Sequence, residues 1–300
     1  MRRRTIPKQS IGVIGLGNMG QGIANNLIKN KVPLLVWDSS AAARKQFENK
    51  RGATIAKPSE MASQCPAIFF IVPASPQIKQ CLKGKDGIIA HARKGLILCD
   101  FTSSDPVVTK KIAADLKKSG IEFIDTAMSG GGAVGAAEGT INLLVGGNEK
   151  ILKKVQKYLK MISKRIFYMG PIGAGQTMKL ISNMVLHTTF IAACEGSRMA
   201  EKSGIPLEKA IDVFNAGNAR CYVTEARFPN HILSKKWDAR STVYNLDKDV
   251  GMAVKLAGKL GVKATVSKNA SRFLNKAIKN GMAQKDFSLL YRDFDKLQKL

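Results

Sequence analysis

Four residues, Ile11-Gly-Val-Ile14, run straight into Gly15-Leu16-Gly17-Asn18-Met19-Gly20, and an apolar-periodic helix follows to about Lys29. A second apolar run, Pro33-Leu-Leu-Val-Trp37, ends on Asp38. Strand, Gly-x-Gly-x-x-Gly, helix, strand and acid, in that order, form the fingerprint of a dinucleotide-binding βαβ unit, with the acid roughly 20 residues beyond the glycines. Gly15 permits the tight turn, Gly17 lets a pyrophosphate approach the backbone, and Gly20 lets helix and strand pack closely. The helix N-terminus faces the phosphates. With the intervening Leu16, Asn18 and Met19, these glycines make up the expected cofactor loop. Asp38 suits the ribose hydroxyls and repels a 2′-phosphate, which favours NAD; Ser39, Ser40 and Arg44 leave NADP possible.

Strand and helix signals keep alternating to residue 168. Helical stretches are expected at 41–50, 75–81, 106–118 and 148–161. Strands are expected at 53–55, 67–72, 95–99, 121–124, 141–145 and 165–168. From Gly170 the strand signals stop, and helices are expected at about 174–203, 207–216, 219–233, 245–260, 264–281 and after Asp286. The expected fold class is therefore an α/β Rossmann-type N-terminal domain, residues 1–168, followed by an all-α C-terminal domain, residues 169–300. Ligands of such sheets collect at the carboxyl ends of strands, where Val72, Pro73, Ser103 and Asp125 are expected to fall.

Two later stretches carry chemistry. Asp125-Thr-Ala-Met-Ser129 leads into Gly130-Gly131-Gly132. A hydroxyl followed by glycines can present consecutive backbone N–H groups as an anion nest, suited to a carboxylate. The competing reading is a flexible linker, against which stand the apolar runs on either side. Further on, Gly170-Pro-Ile-Gly173-Ala-Gly175-Gln-Thr-Met-Lys179-Leu-Ile-Ser-Asn183 opens a long helix. From Met178 to Cys194 the sole formally charged residue is Lys179, so this helix is expected to be buried on nearly all sides. A lysine placed there either has its ammonium form disfavoured by burial, as an acid/base group requires, or snorkels to water from the first turn. Asn183 follows at i+4, on the same face.

Composition mainly excludes. The five cysteines (Cys65, Cys81, Cys99, Cys194, Cys221) include no Cys-x-x-Cys pair, which points to free thiols in a reducing, cytoplasmic setting. The Arg-rich start has no separate apolar segment and reads as no secretory signal, although it leaves organelle import open. The three histidines lack metal-ligand spacing, so no metal is expected. The 178–194 stretch is too short and too polar to span a bilayer, so no membrane partner is expected. The net charge of +26 arises from 48 basic against 22 acidic residues. The lysines are scattered, without a basic block or a nucleic-acid motif, so a nucleic-acid partner is not expected. A host-wide basic shift is the expected source of the charge, with dedicated polyanion binding as the competing reading, and in either case the field would draw in anionic metabolites.

Gly15-Leu-Gly17-Asn-Met-Gly20, Ser129-Gly130-Gly131 and Gly170-x-x-Gly173-x-Gly175-x-x-x-Lys179-x-x-x-Asn183, in this order, resemble the β-hydroxyacid dehydrogenase family over essentially the whole chain. Arg220-Cys221, Leu246-Asp247-Lys248-Asp249 and Lys285-Asp286-Phe287-Ser288 extend the resemblance. It implies an NAD-dependent oxidation of a small 3-hydroxy acid, such as 3-hydroxyisobutyrate, to its semialdehyde. Lys179 then matches the catalytic lysine and Asn183 the asparagine that helps hold the substrate. Ser129, Gly130 and Gly131 match the turn that grips the substrate carboxylate. Val72, Pro73 and Ser103 match cofactor-contacting positions, and Lys248 a lysine near the nicotinamide end. The resemblance also implies a homodimer or homotetramer. Two departures, Asp125-Thr-Ala-Met before Ser129 and Asp100-Phe-Thr102-Ser103, keep the polar groups and bear on substrate fit. A reductase of tartronate semialdehyde or of another short-chain semialdehyde would share every catalytic residue. A polyanion-binding module without activity would have no use for Lys179.

Overall fold

Strands buried on both faces alternate their side chains between two cores, and the first half of the chain is built this way. The computed structural model describes residues 10–299; the basic N-terminal stretch lies outside the described residues. Two compact units, Met1–Lys179 and Leu180–Leu300, divide the chain.

The first unit holds strands β1 (Ile11–Ile14), β2 (Leu34–Trp37), β3 (Ala53–Ile55), β4 (Ala67–Phe70), β5 (Ile97–Asp100), β6 (Glu122–Ser129), β7 (Ile141–Gly146) and β8 (Ser163–Gly170). Between them lie helices α1 (Asn18–Lys29), α2 (Ala41–Lys45), α3 (Pro58–Gln64), α4 (Ser75–Leu82), α5 (Ile88–His91), α6 (Pro106–Lys117), α7 (Gly132–Glu138) and α8 (Glu149–Leu159). The strands form one sheet in the order β3-β2-β1-β4-β5-β6-β7-β8, parallel throughout except for the antiparallel β6–β7 pair. The first six positions reproduce the doubly wound dinucleotide-binding order, which reverses between β1 and β4. On one face Val13, Phe69 and Cys99 pack with Ile23 and Leu27 of α1 and Val155 and Leu159 of α8. On the other, Ile14, Ile68, Phe70 and Leu98 pack with Met61 of α3, Ile78 of α4 and Ile112 and Leu116 of α6.

Helix α9 (Ala174–Lys202) follows β8 without an intervening strand. The second unit continues with α10 (Leu207–Ala216), a π-helical segment Val223–Leu233, α11 (Val243–Lys259), α12 (Thr265–Ala277), α13 (Leu289–Arg292) and α14 (Phe294–Lys299). Its core gathers Phe190, Cys194, Phe228, Val250, Leu274, Phe287 and Phe294. The α/β half followed by a helical half is the fold class that the sequence reading expects.

Four local expectations are corrected. The strand expected at 121–124 runs on to Ser129, because β7 supplies antiparallel partners from Asp125↔Gly146 to Ser129↔Asn142. Asp125 is therefore mid-strand and not at a strand end. The helix expected at 41–50 stops at Lys45, ahead of a turn. The helix expected at 219–233 is π-helical from Val223, with Pro229 inside it; a proline removes an amide and forces the ladder to rearrange. Finally, α9 is not buried on nearly all sides: Met178, Ile181 and Val185 are 38%, 36% and 57% exposed, while Leu180, Phe190 and Cys194 are buried. Packing partners cover one flank of this helix, Leu186 and Ile191 are partly covered, and Met178, Ile181 and Val185 face outward.

Candidate active site

The loop between β1 and α1 tests the expected cofactor directly. At Gly15, which has φ +101°, a Cβ would lie 2.1 Å from the Ile71 carbonyl oxygen. At Gly20 it would lie 1.9 Å from the Gly15 carbonyl oxygen. The protein's own backbone demands both glycines. At Gly17 a Cβ would meet no protein atom within 4 Å, and φ is −67°. Nothing in the chain requires a glycine there, and the open space beside it suits a ligand that passes close to the backbone. Gly17 is also the N-cap of α1; no side chain caps this helix and no acid sits in its first turn, which leaves donors for an anion. Gly17 and Asn18 are exposed, Met19 is half-buried, and Leu16 and Gly20 are buried.

Asp38 stands at the end of β2, its carboxylate already oriented. Leu16 N–H donates to Oδ2 at 2.7 Å and Ser40 N–H to Oδ1 at 2.8 Å. Arg44 stacks 4.6 Å from the centre of the Trp37 ring and donates to the carbonyls of Asp38 and Ser39 at 2.7 and 3.0 Å. Its guanidinium is thus engaged with the main chain beside the acid. Val72 lies at the sheet's switch point, its Cγ1 3.2 Å from where a Gly15 Cβ would be, with Pro73 exposed next to it. Ser103 is exposed between the buried Thr102 and Ser104, beyond the end of β5.

Ser129 closes β6, and Gly130, Gly131 and Gly132 follow with φ of 82°, 73° and 52°. Three consecutive residues at positive φ turn the chain directly after Ser129, and in a turn of this kind successive backbone N–H groups can converge on an anion. Only glycine adopts this run without steric cost. The helix that follows, α7, is pinned to α1: Asn26 donates to the Ala136 and Ala137 carbonyls at 2.7 and 3.0 Å, and a Cβ at Gly22 would lie 2.7 Å from the Ala136 carbonyl carbon.

Lys179 and Asn183 are carried one turn apart on α9, and Lys179 is half-buried. In the second unit Asn183 donates from Nδ2 to Asp249 Oδ2 at 2.6 Å. Lys248 Nζ is 3.6 Å from Asp249 Oδ1, and His187 Nε2 is 4.0 Å from Oδ2. Asp249 was legible only as part of the Leu246–Asp249 segment; its role as the hub of Asn183, His187 and Lys248 depends on the meeting of α9 and α11. Among the described residues no cluster of three or more His, Cys, Asp or Glu could hold a metal, and no helix is long and apolar enough to cross a membrane.

Two buried carboxylates face each other across β5 and β6, in the register Asp100↔Asp125. Burial raises the Asp125 carboxyl, against the pull of the Gly173 and Gln176 amides. Burial pushes Asp100 up to about 7 from 3.8, even though the Thr102 N–H donates to its Oδ1 at 2.8 Å. The folded state holds the Asp100 proton more tightly than the unfolded chain. Its contribution to stability is therefore fully present below about pH 4 and is lost as pH rises through about 7. At one pKa unit per about 1.4 kcal/mol, the loss is at most about 4 kcal/mol. Asp100→Asn keeps the shape and removes the ionisation. The urea midpoint of the variant is expected to exceed that of the wild type at about pH 8 and to approach it at about pH 4. A midpoint difference that does not change with pH would contradict the assignment.

Comparison with known proteins identifies relatives over both halves of the chain. Residues 10–170 match the NAD-binding domain model of 6-phosphogluconate dehydrogenase. Residues 173–294 match the model described as NAD-binding of NADP-dependent 3-hydroxyisobutyrate dehydrogenase. A probable mitochondrial 3-hydroxyisobutyrate dehydrogenase of Dictyostelium discoideum is 33% identical over 96% of this chain and 91% of its own length. The mitochondrial 3-hydroxyisobutyrate dehydrogenase of Mus musculus is 29% identical over 97% and 88%. The fold is shared with the Mycobacterium tuberculosis 3-hydroxyisobutyrate dehydrogenase solved with L-serine, at a TM-score of 0.86 and 24% identity, covering 96% of this chain and 99% of that one. With residues 10–170 and 173–294 both matched and a relative 33% identical over 96% of its length, the chain belongs to the β-hydroxyacid dehydrogenase family.

Proposed function

We propose that this oxidoreductase converts a small 3-hydroxy acid of the 3-hydroxyisobutyrate type reversibly to its semialdehyde, with NAD preferred and NADP possible. The observation that carries the substrate class is the left-handed run Gly130–Gly132 directly after Ser129, a receptor for one carboxylate. In this reading residues 1–168 form the dinucleotide-binding domain and 169–300 the substrate and oligomerisation domain.

The loop Gly15, Leu16, Gly17, Asn18, Met19 and Gly20, with the first turn of α1, holds the pyrophosphate. Asp38 takes the ribose hydroxyls, and its two existing amide bonds spare the cost of orienting it. Val72, Pro73, Ser103 and Lys248 complete the cofactor contacts. NAD, when bound, supplies the hydride acceptor. Ser129, Gly130 and Gly131 fix the substrate carboxylate, and Asn183, oriented by Asp249, helps to hold the substrate. Lys179 removes the hydroxyl proton as the C–H bond breaks and returns it in the reverse direction.

The scattered lysines draw in the anionic substrate and cofactor without a nucleic-acid partner. Five free thiols without a disulfide suit a reducing compartment such as the cytoplasm. A second copy of the chain is the natural cover for the exposed Met178, Ile181 and Val185. Light scattering is expected to give a dimer or tetramer mass, and a monomer would contradict this.

A panel of 3-hydroxyisobutyrate, glycerate, 3-hydroxypropionate, 4-hydroxybutyrate, serine and threonate, each with NAD and NADP, tests the reading. One 3-hydroxy acid should lead, with kcat/KM at least about tenfold higher with NAD, equivalent to about 1.4 kcal/mol. Equal use of NADP would remove Asp38 as the selector. Preference for 4-hydroxybutyrate would overturn the substrate class.

A further inference from the structure

The first turn of α9 is held by an unusual set of buried polar groups, all within the first unit. Asp125, inside β6, accepts from Gly173 N–H on Oδ1 at 2.7 Å and from Gln176 N–H on Oδ2 at 2.8 Å. A carboxylate at a helix start satisfies its orphan amides and complements the helix dipole. The approach is close: a Cβ at Gly175 would lie 2.2 Å from the Leu144 carbonyl oxygen and 2.8 Å from Asp125 Oδ2, and a Cβ at Gly146 would lie 2.5 Å from Asp125 Oδ1. The side chain of Gln176, 1% exposed, then reaches the loop after β5. Its Nε2 donates to the Thr102 carbonyl, and its Oε1 accepts from Ser104 N–H at 3.1 Å. One amide thus spends both its donor and its acceptor on the main-chain groups that flank Ser103. Lys179 follows Gln176 by three residues, about one helical turn.

We propose that Gln176, with Asp125 behind it, is a positioning residue: it locks the rotation of the first turn of α9 to the Thr102–Ser104 loop and so sets Lys179 against the nucleotide end of the site. This rests on the reading of Lys179 as the acid/base group. The two-point grip is what distinguishes positioning from filling. A single hydrogen bond would allow the turn to pivot, whereas an amide clamped on two backbone groups fixes its angle. Misplacement of reacting groups by about 1 Å costs on the order of 100-fold in rate.

The test uses the full chain with three variants and the wild type. Gln176→Ala removes both bonds and should lower kcat about 10- to 100-fold. KM for the hydroxy acid should change little, and the deuterium isotope effect on kcat should rise as hydride transfer becomes limiting. Gln176→Glu keeps the acceptor for Ser104 N–H but sets a carboxylate against the Thr102 carbonyl; protonation restores a donor. Its kcat relative to the wild type should therefore recover about tenfold or more between about pH 9 and about pH 6, while the ratio for Gln176→Ala stays flat. A merely structural role would lower the melting temperature of both variants and leave kcat and its pH ratio unchanged, which would overturn the proposal. Should Gln176→Ala fail to fold, the pH recovery of Gln176→Glu decides alone. Lys179→Ala separates the two ideas. Normal turnover in that variant removes the reading beneath the proposal, whereas its loss alongside unchanged Gln176 variants removes the proposal only.

Discussion

Replacing Lys179 with alanine is expected to lower kcat by roughly 100- to 10,000-fold, the contribution of a positioned proton transfer. The affinity for NAD should remain, because the cofactor loop, Asp38 and the β1–β4 switch point are built without this side chain. Folding should also survive, since Lys179 is half-buried and Leu180 beside it supplies the core contact. The decisive comparison is between kcat in single turnover and NAD binding by fluorescence. A variant with near-normal turnover would show that the proton goes elsewhere. His187 and Asp249, linked on α9 and α11 at 4.0 Å, would then be the next groups to test.

The second large effect is expected at Gly17, and it separates cofactor binding from folding. Gly17→Val places its side chain where no protein atom lies within 4 Å, at a φ of −67° open to any residue. Stability should therefore change by no more than about 1 kcal/mol, the scale on which a poorer N-cap residue weakens a helix start. KM for NAD should rise on the order of 100-fold or more, because the added methyls occupy the path of the pyrophosphate. Gly20→Ala should behave in the opposite way. Its Cβ would stand 1.9 Å from the Gly15 carbonyl oxygen, so α1 must shift. Overpacking of this kind costs about 1–3 kcal/mol or more of stability. If Gly17→Val bound NAD like the wild type, the open space beside Gly17 would not be the pyrophosphate site.

The contrast between these two glycines marks what could be read from the sequence. The dinucleotide loop was legible because its evidence is local: a strand, a fixed glycine spacing, a helix and an acid follow one another within one βαβ unit. The alternation of helices and strands was legible for the same reason. The clamp on α9 was not. Asp125 lies 48 positions from Gly173, and Gln176 lies 74 from Thr102, so no periodicity connects them. Asn183 and Asp249 are 66 apart. Asp125-Thr-Ala-Met-Ser129 read as a loop because it is polar and runs into glycines; the pairing with β7 that makes it strand comes from a segment further along the chain. The apolar run of α9 showed that the helix would need cover but not which of its flanks the same chain would cover. Met178, Ile181 and Val185 on the outer side are the result.

Hydride transfer from the hydroxy acid to NAD is tested by label transfer. The protein is incubated with NAD and 3-hydroxyisobutyrate carrying deuterium on its alcohol carbon, and the reduced cofactor is recovered and weighed. Reduced NAD one mass unit heavier (about 1 Da) is expected, formed together with the semialdehyde, with the isotope slowing turnover in the Lys179 and Gln176 variants. Reduced NAD without the label, or a labelled acid returned unchanged while NAD stays bound, would contradict it.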